Sequence, residues 1–94
     1  MIFVALLKVR EGITPIDINK FVYRRGEWGH PEGKYSSAVN LIDEYWLQTE
    51  DPKYILIFET DEPRAIMDIV TRWEDHFEAT VVPARRVEEL LSDR

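Results

Sequence analysis

Val39-Asn-Leu-Ile-Asp-Glu-Tyr-Trp-Leu-Gln48, Thr49-Glu-Asp-Pro52 and Tyr54-Ile-Leu-Ile-Phe-Glu-Thr60 follow one another at the middle of the chain. The outer two stretches are rich in β-branched, aromatic and large aliphatic residues, and the inner one is a cluster of turn formers. The arrangement predicts a β-hairpin. In its second arm Leu56 and Phe58 oppose Ile55 and Ile57, so both faces are apolar, as in a strand covered on both sides. In its first arm Glu44 to Trp46 does not alternate cleanly. That suits an edge strand with a bulge or a partly exposed face.

Outward from the hairpin, a helix is predicted on each side. Upstream, Thr14-Pro15-Ile16-Asp17 has a capping residue, a proline suited to the first helical position and an approximate capping box. Ile18, Phe21 and Val22 then share one side to about Glu27. Gly26, Gly29, Pro31 and Gly33 predict an irregular loop over Trp28 to Ser37, placed as a lid over one end of the domain. Downstream, Asp61-Glu62-Pro63 opens a second helix with an acidic first turn, and Ile66, Ile69, Val70 and Trp73 follow at i, i+3, i+4 and i+7. Farther out, Ile2 to Arg10 and Phe77 to Pro83 have strand composition. Val87 to Leu91 is expected to add a short helical turn carrying Leu90 and Leu91.

The order strand, helix, strand, strand, helix, strand predicts an α+β, ferredoxin-like βαββαβ domain over residues 1–94, with both helices on one face of a four-stranded antiparallel sheet. Strands one and three are then central. In strand one Ile2, Val4 and Leu6 oppose Phe3, Ala5 and Leu7, so the sheet face without helices is apolar too. A large exposed apolar face marks an interface, and a homodimer packed through the open sheet face is the expected answer.

Composition removes several function classes. The chain has no cysteine, which excludes disulfides, thiolate chemistry and Cys-ligated metals. Its net charge of −6 gives no attraction to phosphate backbones, and Arg24-Arg25 and Arg85-Arg86 are too short for a basic stripe, so nucleic acid is not an expected partner. The longest apolar run, Ile2 to Leu7, is far below the roughly 20 residues of a membrane span. No membrane association is expected, and the cytoplasm is the expected compartment.

Pro31-Glu32-Gly33, Glu44-Tyr45-Trp46-Leu47-Gln48-Thr49, Ile55-Leu56-Ile57-Phe58-Glu59 and Arg72-Trp73-Glu74-Asp75 followed by Val81-Val82-Pro83-Ala84 resemble a family of short, functionally uncharacterised archaeal and bacterial proteins. It is a domain of unknown function within the dimeric α/β-barrel superfamily. The resemblance covers nearly the whole chain and implies the ferredoxin-like fold and a dimer. It implies no activity and no cofactor.

The candidate ligand-binding residues are His30, Glu44, Tyr45 and Trp46. Glu44, Tyr45 and Trp46 put a carboxylate, a phenol and an indole on one strand, and His30 rides on the loop that feeds it. Glu44 is the candidate general base and Trp46 an apolar platform. The competing reading of Glu44 and Trp46 is edge-strand packing. Trp73 is read as core, and His76 as a residue closing helix two. No metal-ligand spacing is present, so no metal or other cofactor is expected. The function expected from these residues is a homodimeric small-molecule-binding or accessory protein. A cofactor-independent monooxygenase or isomerase and a ligand-sensing regulatory domain are the alternatives.

Overall fold

The central hairpin forms as β2, Asn40–Trp46, and β3, Tyr54–Glu59, in a computed structural model that describes residues 1–27, 35 and 37–92. Its turn is tied by the Thr49 hydroxyl donating to the Pro52 carbonyl at 2.6 Å. Around it lie β1, Ile2–Val9, and α1, Pro15–Glu27, upstream, with α2, Pro63–Trp73, β4, Phe77–Ala84, and α3, Val87–Ser92, downstream. The sheet order is β2-β3-β1-β4, with every neighbouring pair antiparallel. This is the expected α+β, ferredoxin-like arrangement, with β1 and β3 central. Most of the loop expected over Trp28 to Ser37, including Trp28 and His30, lies outside the described residues.

Local chemistry accounts for the helix starts. At α1 the Asp17 amide donates to Thr14 Oγ1 at 3.3 Å, while the Thr14 amide donates to Asp17 Oδ2 at 3.1 Å. The capping box is therefore reciprocal, with an aspartate in the place usually held by Glu or Gln. α2 differs from expectation. Its first turn holds no acid, because Asp61 and Glu62 precede the helix and Pro63 takes its first position. The Glu62 amide donates to Thr60 Oγ1 at 3.1 Å instead.

The core lies between the helices and one sheet face. Ala5 and Leu7 of β1, Tyr54, Leu56 and Phe58 of β3, Phe21 of α1, and Ala65, Ile69 and Trp73 of α2 are all buried. The last three are spaced by four, which adds Ala65 to the predicted helical stripe. Tyr35, assigned to an irregular loop from the sequence, is buried as well. Its hydroxyl accepts the Trp73 indole N–H at 3.0 Å, satisfying a donor that would otherwise be stranded in the core.

The opposite sheet face carries no helix. Ile2, Val4 and Leu6 of β1 pair across with Ile55 and Ile57 of β3 and with Thr80, Val82 and Ala84 of β4, and Ile42 of β2 joins them. Ile42 and Val82 are exposed, and the other aliphatic residues of this face are half-buried.

A cleft between helix α1 and strands β2 and β3

Leu41 opposes Phe58 and Asp43 opposes Ile57, so Ile42 has no partner of its own across the hairpin. The register shift is a bulge, two residues before the segment where broken alternation suggested one. The extra residue changes which side chains face α1. Leu41, Glu44 and Trp46 stand opposite the buried Phe58, Leu56 and Tyr54, whereas Asp43 and Tyr45 stand opposite Ile57 and Ile55 on the open face. Without the inserted residue, strict alternation from Leu41 would point Glu44 away from the helix.

Helix α1 supplies the other wall. Phe21 and Arg25 are four residues apart and share its inner side. The Arg25 guanidinium grips Glu44 with two nitrogens: Nε reaches Oε2 at 3.2 Å and Nη2 reaches Oε1. The Tyr54 hydroxyl also donates to Glu44 Oε2. Side-chain exposure is 16% for Arg25 and 28% for Glu44, so the pair is largely withdrawn from water. Burial alone would lower the Arg25 pKa, but the hydrogen bonds to Glu44 and Tyr54 outweigh it and raise it, so the guanidinium stays charged.

Two phenols extend the cluster into the core. Burial, then the neighbouring Tyr35 and the bond to Glu44, push the Tyr54 phenol far above its ordinary value of 10.0. Burial also raises Tyr35, although the Trp73 N–H and, less strongly, Tyr54 oppose it. A continuous polar line runs from the Trp73 indole through Tyr35 and Tyr54 to Glu44 and Arg25. Both phenols are neutral at physiological pH.

Above this line is a cleft of about 210 Å³, lined by Phe21, Val22, Arg25, Glu44, Tyr45, Trp46 and Tyr54. Its walls are mainly aromatic. Phe21 stacks on Trp46 with centroids 5.7 Å apart and planes at 14°, and meets Tyr54 edge-on at 5.6 Å. Trp46 is 37% exposed, and the Lys53 ammonium lies 5.1 Å from its ring centroid. Trp46 and Val22 also border a second cleft of about 230 Å³ on the Lys53 side.

Of the candidates read from the sequence, Glu44 and Trp46 meet in the cleft. Tyr45 reaches its rim from the edge strand, and its hydroxyl donates to Asp43 Oδ2 at 2.5 Å. His30 lies outside the described residues. Glu44 does not stand free as a base, because both of its oxygens already accept hydrogen bonds. Phe21, Arg25 and Tyr54 were missed, although Arg25 continues the Ile18, Phe21, Val22 stripe of α1. A cation on an apolar stripe was the available signal.

His76 follows α2 and packs against Phe21 and Phe77 at 6.0 and 6.4 Å. Its carbonyl accepts the Arg10 amide at 2.9 Å, and its Nδ1 is buried with no hydrogen-bond partner among the described residues. Among the described residues no group of three or more His, Asp or Glu is placed to hold a metal ion, and no helix is long and apolar enough to cross a membrane.

No curated protein and no solved structure matches this chain. A family model described as "Domain of unknown function (DUF3303)" matches residues 1–92. A match over almost the whole sequence makes this chain a member of the DUF3303 family.

Proposed function

We propose that this protein is a homodimeric small-molecule-binding protein of the dimeric α/β-barrel type, and that the cleft beside Trp46 is its ligand site. The observation that carries the reading is the cleft's construction: aromatic walls from three elements around a largely buried Arg25–Glu44 pair. Binding sites combine apolar walls with a few fixed polar groups in this way. At about 210 Å³ the cleft is smaller than the roughly 300 Å³ at which sites for drug-sized ligands begin. A ligand of one ring with a polar substituent is the size it suits. Trp46 and Phe21 would hold the ring, and Tyr45 at the rim and Lys53 over the Trp46 ring would meet the polar end. Glu44 would act by fixing Arg25 and Tyr54 in place.

The dimer part of the reading is supported by the apolar open sheet face, since two such faces packed together would remove both from water. Native mass spectrometry of protein taken directly from its source tests the ligand. A mass in excess of a whole multiple of the 11.1 kDa chain that is lost in Trp46→Ala supports the reading. A whole multiple of the chain mass and nothing more in both proteins, with tryptophan emission unmoved by a panel of single-ring carboxylates and amines, rejects it.

A further inference from the structure

Helix α3 is a six-residue helix in which every residue is exposed. Its sequence does not explain such a placement. Val87, Leu90 and Leu91 recur at i, i+3 and i+4, so they form one apolar stripe, yet they are 67%, 49% and 57% exposed. The helix is held by local bonds: the Glu89 and Leu90 amides donate to the Arg86 carbonyl at 3.0 and 3.4 Å, and the Ser92 hydroxyl donates to the Glu89 carbonyl at 2.9 Å. A helix this far below about 12 residues is marginal in water without tertiary packing.

The place of α3 in the fold indicates what covers it. It starts two residues after β4, whose Val82 and Ala84 belong to the open sheet face. The linking Arg85 and Arg86 line a depression on that face together with Ile2, Val4, Ile42 and Ile57. The apolar stripe of the helix therefore follows directly on an edge strand of the apolar sheet face. Area points the same way. Strands about 4.8 Å apart, rising about 3.3 Å per residue, give the four-stranded face an outline of roughly 450 Å². A stable interface takes about 800 Å² of accessible surface from each partner, so a face of this flat outline is at the small end of what a dimer needs and an added element enlarges it.

We infer that α3 is a docking arm for a second copy of this chain, its Val87, Leu90 and Leu91 buried against that copy at the margin of the stacked sheets. The inference rests on the sheet-face dimer proposed above and adds the element that completes its area. By two-fold symmetry each copy gives one arm and receives one.

Sedimentation equilibrium on the full chain and on the double variant Leu90→Glu, Leu91→Glu tests it, with circular dichroism to verify the fold. The variant should stay folded, because both positions are exposed in the single chain, while its dimer dissociation constant rises on the order of tenfold or more. An unchanged dissociation constant overturns the arm and leaves the sheet-face dimer standing. A wild-type chain that is monomeric at every concentration overturns both. Should the double variant lose its fold, hydrogen exchange on the wild type decides. Amides of residues 89–92 that are protected at high concentration and released on dilution support the arm, and fast exchange at all concentrations rejects it.

Discussion

Arg25 and Glu44 are each costly to bury alone and tolerable only together. In Glu44→Gln the guanidinium keeps a hydrogen-bond acceptor but loses its counter-charge, so unfolding in urea should shift by about 2 kcal/mol, below the cost for fully buried pairs because water still reaches this one. Arg25→Met combined with Glu44→Gln should cost clearly less than the two single changes added. Strict additivity would mean that the pair is not coupled. Tyr54 gives a pH test. Its folded pKa is raised, so its contribution is complete below the unfolded value of 10.0 and is lost as pH rises toward the folded value. Wild-type stability should therefore decline above about pH 10 by more than that of Tyr54→Phe. Parallel profiles would show that the phenol's environment is not what holds it neutral.

Elements were legible where local pattern decides them. The box at α1 is such a case, since Thr14, Pro15 and Asp17 determine the helix start without tertiary help. Thr14→Ala should cost about 1 kcal/mol, read as a shift in denaturation midpoint with native circular dichroism. The Asp17 pKa lies below 3.8, chiefly through the Thr14 amide and then its hydroxyl. What Asp17 adds is thus full above pH 3.8 and disappears as pH falls through its lower folded value. The acid limb of the stability profile should flatten in Asp17→Asn. The bulge was only half legible. Broken alternation announced an irregularity in β2, but its position depends on which β3 residue each β2 residue opposes, and one strand's pattern does not contain that. Tyr35 was hidden for a related reason. Glycines and prolines around it announce a loop, while its burial is set by Trp73, 38 residues away, whose indole needs an acceptor.

At the scale of the whole molecule, alternation in β1 separates two kinds of burial. Ala5 faces the helices and is completely buried, whereas its neighbour Val4 faces the open side and is half-buried. An aspartate therefore has different consequences at the two positions. The structure separates the outcomes. Ala5→Asp puts an unpaired carboxylate among Leu7, Leu56 and Phe58, a cost of several kcal/mol against a total stability of about 5–15 kcal/mol, and the chain should not fold. Val4→Asp puts the same carboxylate where water reaches it in a single chain but not between two stacked sheets. The variant should keep a native circular dichroism spectrum and a cooperative melt, yet sediment as a monomer at micromolar concentrations where the wild type is a dimer. Unfolding of both variants alike would mean that the open face is needed for the fold itself. A Val4→Asp chain that sediments with the wild type would move the interface elsewhere, because no packing of two apolar faces tolerates a pair of unpaired charges at its centre.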